Sequence, residues 1–410
     1  MKRFIFVIMI GLLMNVFSSQ QIYAGEVDIL VEKLVKKGVL TPVEAQIILN
    51  ETKHEVAKEG AQGKNNTLPG WIQKIELKGD LRLRYQWNKN ESSMDRHRGR
   101  YRFRWGAKTK VVDKVKAGFG FASGGTDPRS TNQTMTNTFE TPDLRLDYAY
   151  VEYAAIQCLT LYGGKFPRKP VLWQPSDLLW DSDINTEGLA GAYSKNIASG
   201  FDLFINTGAY ILDELKNDTS DPLLITAQPG VKLDITNNID VKVALAYYSF
   251  NGVKGVALDH SAETNSVDTT NQLIYEYNSI NPNLEIGLKE PLGGIVPFGA
   301  LYLDYISNPD PASDNTGYLT GVKFGAKNVK KKGQWQFKYM YRRLEKDAWL
   351  DTFSDSDFYD GGTDVKGHEL IVEYGLADNV ILALDYYLSE NITGTTNSEN
   401  LFQFDLNFKF

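Results

Sequence analysis

The sequence has little of what a disulfide-bonded, a nucleic-acid-binding or a helical membrane protein needs. Its one cysteine, Cys158, has no partner for an internal disulfide and lies too far from the amino-terminal apolar segment for lipid attachment there. Beyond that segment, no apolar run is long enough to cross a bilayer as a helix. With 44 Lys and Arg against 51 Asp and Glu, the net charge of −7 excludes an overall basic surface for nucleic acid.

The amino-terminal segment has the features of a secretory signal peptide. Lys2 and Arg3 precede an apolar run over residues 4–17, and the small residue Ala24 stands where a signal peptidase would cleave. The run is too short to span a bilayer, which favours a cleaved signal over a membrane anchor. We expect residues 1–24 to be removed on export, which would change the net charge from −7 to −9 by loss of the two basic residues.

From Trp71 to the end of the chain, apolar and polar residues alternate with a period of two. About sixteen such segments are bounded by Gly, Asn, Asp or Pro, as strands are. Short turns alternate with long polar loops, around residues 88–97, 124–142, 168–185, 213–222, 251–280, 308–315, 345–364 and 390–399. This pattern is typical of an all-β, antiparallel up-and-down barrel that crosses a membrane with both ends on one side. The pattern therefore predicts that residues 71–410 form a transmembrane β-barrel of about 16 strands.

The last strand has the clearest alternation. One face carries large apolar side chains and the other carries polar ones; the apolar residues are Phe402, Phe404, Leu406, Phe408 and Phe410. Such a strand suits the closing position of an outer-membrane barrel, with its apolar face towards lipid. A secreted β-sandwich is the alternative, but the aromatic residues of strands such as 101–105 and 148–150 would then expose apolar surface. We therefore expect all these aromatic side chains to meet lipid.

Residues 25–60 are predicted to form a short helical hairpin on the periplasmic side. Five apolar residues share one helix face, namely Val27, Leu30, Val31, Leu34 and Val35, and Gly38 is placed to end that helix. Thr41, Pro42 and Glu44 form a capping box that begins a second helix. The hairpin is too small to bury much surface, so we expect it to pair with copies of itself or with the barrel mouth. Residues 61–70 are a polar linker.

Four stretches, residues 77–85, 98–104, 127–133 and 177–183, resemble the bacterial "putative porin" family in their order and spacing. The resemblance covers most of the chain from Trp71 to Phe410, and a helical hairpin commonly precedes the barrel in related porins. It implies a trimeric diffusion channel in the outer membrane of a Gram-negative bacterium, in contact with outer-membrane lipid and open to small hydrophilic solutes. The closing strand would then be the assembly signal for the barrel-assembly machinery.

Arginines dominate the polar faces of the first two strands. Arg82 and Arg84 lie in the first strand, and the second strand carries Arg98, Arg100, Arg102 and Arg104. A guanidinium at the bilayer midplane would cost about 2–4 kcal/mol, so we expect these side chains to face water inside the barrel. Acidic groups or solutes must neutralise them, because arginine keeps its proton. The alternative is a solvated structural wall that only balances nearby carboxylates.

The third long loop, residues 167–185, differs from the other loops in composition. It combines anchoring aromatics with carboxylates: Trp173, Asp177, Trp180, Asp181 and Asp183. By analogy with general porins of this strand number, we expect it to fold into the lumen and narrow the pore. Its carboxylates would face the arginines, and opposed charges across a constriction orient dipolar solutes and set a weak ion preference.

Neither a second acidic loop nor the histidines indicate a metal-binding or catalytic site. Asp351, Asp355, Asp357, Asp360 and Asp364 do not have the spacing of an EF-hand, so a solvated acidic loop is favoured over a calcium site. The four histidines have no serine motif beside them, which argues against an outer-membrane hydrolase. We expect no catalytic residue, metal or cofactor.

Two other functions fit the same barrel. One is a substrate-specific anion channel, for example for phosphate, built on the arginines. The other is an adhesin or structural barrel with a plugged lumen. The sequence does not decide among these and a general pore.

Overall fold

The computed structural model describes residues 31, 33–37, 40–51, 74–91, 93–214 and 221–410. The chain divides into two compact units, Met1–Ile75 and Glu76–Phe410. The expected signal peptide and linker lie outside the described residues. Among the residues that are described, no helix is long and apolar enough to cross a membrane.

The amino-terminal unit contains helical residues at 31, 33–36 and 42–51. Thr41 and Glu44 form the predicted capping box around the start of the second helical segment. The Thr41 amide and hydroxyl donate to Glu44 Oε2 at 2.9 and 2.7 Å, and the Glu44 amide donates to Thr41 Oγ1 at 3.3 Å. These bonds satisfy amides that the first helical turn leaves without a partner.

The second unit is a closed antiparallel β-barrel, as the alternation predicts. Its strands are β1 (Ile75–Asn90), β2 (Arg96–Val112), β3 (Val115–Ala122), β4 (Gln133–Thr134), β5 (Arg145–Ile156), β6 (Leu159–Pro167), β7 (Asn185–Ala198), β8 (Phe201–Ile211), β9 (Leu223–Thr236), β10 (Ile239–Asn251), β11 (Ser279–Lys289), β12 (Pro291–Gly294), β13 (Phe298–Ser307), β14 (Thr316–Gly325), β15 (Trp335–Leu344), β16 (Val365–Ala377), β17 (Val380–Asn391) and β18 (Ser398–Lys409). The short strands β4 and β12 lie within connections, and the other sixteen form the wall. Consecutive wall strands pair with each other, and β1 closes the barrel against β18.

The connections alternate in length, so the barrel has two different rims. The short-turn rim carries both ends of the barrel, and the long-loop rim carries the long connections. Two of these connections are named L3 (residues 168–184) and L7 (residues 345–364). L7 contains a 3₁₀ helix at Tyr359–Gly361.

Register fixes which side chains face outward. Across the closing seam, Leu83 lies opposite Leu406 on the outer face, and Arg84 lies opposite Asp405 on the inner face. The alternating apolar residues of β18 therefore lie on the outer surface, as predicted. Phe410 follows the end of β18 and exchanges backbone hydrogen bonds with Gly79 at 2.8 and 3.0 Å.

Tyr148 and Tyr150 contradict the expectation that these aromatic residues meet lipid. The register of β3 against β5 shifts at Gly120, and both tyrosines lie over glycines of neighbouring strands on the inner wall. A Cβ added at Gly120 would come within 2.4 Å of the Tyr148 ring, and one at Gly118 within 2.7 Å of the Tyr150 ring. The rings therefore occupy space that any side chain at these glycines would fill.

L3 and L7 fold inward and fill one side of the lumen. Their aromatic rings pack together, with centroids 4.8 Å apart for Trp180 and Phe353 and 5.6 Å apart for Trp180 and Trp349. Trp349 also packs edge-on against Tyr248 of β10 at 4.8 Å. These contacts belong to an apolar core that joins the two loops to the inner wall of the barrel.

The expectation that the acidic loop is solvated is wrong for most of L7. Asp351 is 2% exposed and Asp355 is 9% exposed. The Asp351 carboxylate accepts hydrogen bonds from the Thr264 amide and the Ser261 hydroxyl, both at 2.8 Å. The apolar side chains beside these carboxylates, such as Trp349, pull the loop into the lumen, and hydrogen bonds then satisfy the buried charge.

Candidate pore constriction

The six arginines of β1 and β2 all lie on the inner face, but loops cover most of them. The side chains of Arg82, Arg84 and Arg102 are 12, 4 and 11% exposed, whereas that of Arg104 is 33% exposed. Among these four, Arg104 keeps the most exposure to water, although the sequence led us to expect exposure for all six arginines. The physical reason is that L7 and the loop around Asn132 bring oxygen atoms onto Arg84 and Arg82, and Asp80 and Asp183 do so for Arg102.

Arg84 makes the strongest contacts of the set. Its Nε and Nη2 donate to the two oxygens of Asp405 at 2.7 and 2.8 Å, and its Nη1 donates to Asp357 of L7 at 3.0 Å. The two-point contact with Asp405 spans the seam between β1 and β18. Planar, two-point pairs of this kind combine charge with fixed geometry. Arg84 therefore joins the closing seam to L7.

Arg102 and Arg104 share two carboxylates. Asp80 accepts from Arg102 and from Arg104, each at 2.8 Å at the shortest contact. Asp183 of L3 lies 3.1 Å from Arg104 Nη1 and 3.9 Å from Arg102 Nη1. The amide and hydroxyl of Thr131 also donate to Asp183, at 3.1 and 2.8 Å. This cluster of two arginines and two carboxylates holds the end of L3 against β2.

The remaining arginines bind mainly amide oxygens. Arg82 donates to Asn132 Oδ1 at 2.6 Å and is 3.4 Å from Asp405. Arg98 and Arg100 donate to Asn88 and Gln86 of β1, both at 2.9 Å.

The predicted L3 residues separate into two groups. Asp183 faces the arginines, but Asp181 points towards L7, where it accepts from the amide and hydroxyl of Ser356 at 2.9 and 2.8 Å. Trp180 is buried in the apolar core, and Asp177 borders a lumen cavity. Trp173 lies beneath the ammonium group of Lys242, whose nitrogen is 4.3 Å from the ring centroid. Only Asp183 therefore meets the arginines as expected.

Asp181 and Asp183 are adjacent carboxylates with opposite pKa shifts. Burial, with the charge of Asp183 second, raises the pKa of Asp181 to about 7. Burial alone would also raise the pKa of Asp183, but Arg102 and Arg104 hold it below its ordinary value. Near neutral pH, Asp183 therefore keeps its negative charge, while Asp181 takes up a proton more readily than an ordinary aspartate.

Three cavities follow the side of the lumen that the loops leave open. The first, about 460 Å³, lies towards the short-turn rim, the second measures about 430 Å³, and the third, about 410 Å³, lies towards the long-loop rim. Asp147, Asp183 and Asn185 line both the first and the second cavity. Lys165 and Asn185 line both the second and the third. These adjacent cavities, called the route, form a row along β5–β7, and Asp183 of L3 lies in the wall that the first two share.

The structure gives roles in the lumen to carboxylates that the sequence did not place beside the arginines or the route. Asp80, Asp357 and Asp405 neutralise the arginines, and Asp147 borders the route beside Asp183. The need for acidic partners was predictable from the clustered arginines, but nothing in the spacing said which carboxylates would reach them. In the part of the chain that the structure describes, no group of three or more His, Cys, Asp or Glu could hold a metal ion.

Comparison with known proteins agrees with this architecture. The chain matches the family described as "putative porin" over residues 87–283 and 275–410. The high-pH structure of Pseudomonas putida OprB is similar over 83% of this chain and 95% of its own, with 12% identity and a TM-score of 0.54. Salmonella typhi OmpF in complex with daunomycin is similar over 82% and 97%, with 11% identity and a TM-score of 0.48.

At 12% identity the likeness to OprB supports the fold alone. Among curated proteins none matches the chain. The family match covers most of the barrel, including the arginine-bearing strand β2, L3 and L7, but it begins after Arg82 and Arg84 of β1. The chain belongs to the "putative porin" family and is a porin of the bacterial outer membrane.

Proposed function

We propose that this porin is a water-filled channel for the passive diffusion of small hydrophilic solutes and ions, with no catalytic step. The observation that carries the proposal is the route past L3, where neighbouring cavities share Asp147, Asp183 and Asn185. L3 narrows the lumen from one side, and the inner wall of β5–β7 bounds it on the other. Solutes would then be sorted first by size.

Charges of both signs border the narrowed part of the route. Arg104, Arg145 and Lys165 contribute positive charge, and Asp147 and Asp183 contribute negative charge. Opposite charges around one passage attract both kinds of ion and orient dipolar solutes, so the preference between anions and cations is weak. The arginine wall itself is largely neutralised, and in this proposal it serves to hold L3 and L7 in place.

The inward loops hold each other, which a size-selective passage requires. Asp181 of L3 accepts two hydrogen bonds from Ser356 of L7, and Arg129 donates to the Asp351 carbonyl oxygen of L7 at 2.9 Å. Together with the packed aromatic rings, these contacts fix the width of the opening. A loop held only at its ends would let the width vary.

Export and assembly signals bring the channel to the outer membrane. Residues 1–24 act as a cleaved signal peptide, and residues 25–60 remain in the periplasm as a helical hairpin. The closing strand, with Phe402 to Phe410 on its outer face, is read by the barrel-assembly machinery. The mature barrel assembles as a homotrimer in contact with outer-membrane lipid.

Reconstitution in a planar bilayer tests the proposed function. We expect stepwise conductance in KCl that changes with the size of the salt ions and does not saturate with uncharged sugars. Saturation at low solute concentration would instead favour a substrate-specific channel. Insertion of folded barrel without any conductance would overturn the proposal and favour a plugged adhesin or structural barrel.

A further inference from the structure

A fourth cavity, of about 410 Å³, lies beneath L3 on its short-turn side. Its walls are L3 itself and the inner faces of β11 and β13–β16, and it shares Arg168, Lys169 and Ser182 with the first cavity of the route. The fourth cavity, which we call the basic chamber, therefore lies directly beside the first cavity of the route. It plays no part in the constriction at Asp183.

Four cationic side chains line the basic chamber, and only two carboxylates do. The cations are Arg168, Lys169, Lys323 and Lys338, and the carboxylates are Asp177 and Glu285. Lys323 and Lys338 are direct cross-strand partners on β14 and β15. Like charges opposite each other destabilise a sheet. Among the described residues, no carboxylate lies within the 4.0 Å ion-pair distance of Lys169, Lys323 or Lys338.

Arg168 carries its charge into the chamber wall without a carboxylate partner. It is 7% exposed, and its Nη1 and Nη2 donate to Gln174 Oε1 and to the Asp181 carbonyl oxygen. Its Nε and the Nε2 of Gln174 are buried without a hydrogen-bond partner among the described residues. Burial first, then Arg168 and other cations, lowers the pKa of the neighbouring Lys169. The local excess of positive charge thus favours an anion.

The other side of the chamber is apolar. Trp173 and Ile371 contribute most of the apolar surface, since Leu172 and Met340 are 2 and 4% exposed, and Tyr302 adds a ring with a hydroxyl group. A bare inorganic anion would leave this surface in contact with water. An anion with a hydrocarbon or aromatic body would cover it, which gains about 25 cal/mol for each Å² of apolar surface buried.

We propose that the basic chamber is a binding site for small organic carboxylates. The carboxylate binds between Lys169, Lys323 and Lys338, and the apolar body packs against Trp173 and Ile371. This inference rests on the proposed function, because the channel supplies the route to the chamber. The inference adds a class of solute to that function: the porin would briefly retain small organic carboxylates while they pass through the lumen.

Calorimetric titration of the detergent-solubilised barrel with benzoate tests the site. We expect saturable binding of benzoate, weaker binding of inorganic phosphate, and none of benzyl alcohol, which has the same ring without the charge. Replacing both chamber lysines, Lys323→Gln and Lys338→Gln, should weaken benzoate binding about tenfold, as the loss of charge-assisted hydrogen bonds implies. The replacement removes a like-charge pair, so the barrel should still fold.

Lys116→Gln is the matched control, because Lys116 is paired with Glu152 of β5 at 3.4 Å, away from the chamber. It should leave benzoate binding within about twofold of the parent. Equal binding of benzoate by the parent and the double variant, or tighter binding of phosphate than of benzoate, would overturn the inference. Conductance separates the two proposals: a conducting barrel that does not bind benzoate refutes only the site. A barrel that binds benzoate without conducting refutes only the channel.

Discussion

Replacing Asp183 by asparagine tests where the channel is narrowed. Asp183 and Asp80 are the carboxylates that contact Arg102 and Arg104, so these four groups carry no net charge together. The substitution leaves a net charge of +1 beside the route. Because asparagine has nearly the same shape, the change is one of charge rather than of volume.

The size of the effect follows from Coulomb's law. A unit charge about 5 Å from a passing ion in water changes the energy of that ion by about 0.8 kcal/mol. This corresponds to about a fourfold change in the local concentration of a small ion, upwards for anions and downwards for cations. Salt screening reduces the effect, so the measurement belongs at low ionic strength. We expect the anion-to-cation permeability ratio of Asp183→Asn to rise severalfold.

The reversal potential across a KCl gradient in a planar bilayer measures this ratio. Asp234→Asn is the matched control, since it makes the same change of charge at an exposed position near the short-turn rim, where Lys232 lies 3.7 Å away. That variant should keep the reversal potential of the parent. If Asp183→Asn shifts the potential no more than Asp234→Asn does, ions do not pass L3 at this residue and the proposed constriction is wrong.

Two further predictions concern the same loops. The pKa of Asp181 is raised to about 7, so its carboxyl group loses negative charge as the pH falls through that value, and anion preference should be greater at pH 5 than at pH 8. The reversal potential should depend less on pH in Asp181→Asn than in the parent. If its pH dependence is unchanged, groups other than Asp181 cause that dependence. Arg84→Leu takes from Asp357 its ion pair with Arg84 and leaves the buried Asp405 with only the 3.4 Å contact to Arg82, so it should destabilise the barrel by about 3–5 kcal/mol. Heat-dependent mobility on denaturing gels measures this loss, and Arg84→Leu with Asp405→Leu should restore part of it.

The barrel was predictable from sequence because every crossing repeats one physical constraint. Lipid outside and water inside impose a period of two on each strand, and short turns on one rim must alternate with longer connections on the other. This pattern was sufficient to predict the number of wall strands and which face of β18 points outward. Local signals were also sufficient for the capping box at Thr41, because its partners are three residues apart.

The position of Tyr148 could not be predicted in the same way. Strict alternation assumes a regular strand, but the register of β3 against β5 shifts at Gly120. The signal was present as glycines at 106, 118 and 120, which leave room for a ring on the inner wall. Recognising it requires knowing which strands are neighbours and in what register. Sequence periodicity alone does not supply that information.

L7 shows a second limit of the sequence. Its carboxylates indicated a solvated loop, but Trp349, Leu350 and Phe358 are almost fully buried against the inner wall. The wall that receives them comes from strands far away in sequence, such as β10. A loop with both aromatic and acidic residues can therefore stay in solvent or fold into the lumen. Which of the two occurs depends on the apolar surface that the inner wall of the closed barrel offers.

The paired arginines and the unpaired lysines have different physical roles in the lumen. Carboxylates from four separate parts of the chain, at 80, 183, 357 and 405, converge on the arginines of β1 and β2. Charges that are paired at short distance have little long-range field, but they resist separation, so this cluster determines where L3 and L7 lie. Within the described part of the chain, Lys323 and Lys338 have no carboxylate at ion-pair distance, so their field extends into the lumen. Removing an arginine should therefore change the shape of the passage, whereas removing a chamber lysine should change only which solutes it holds.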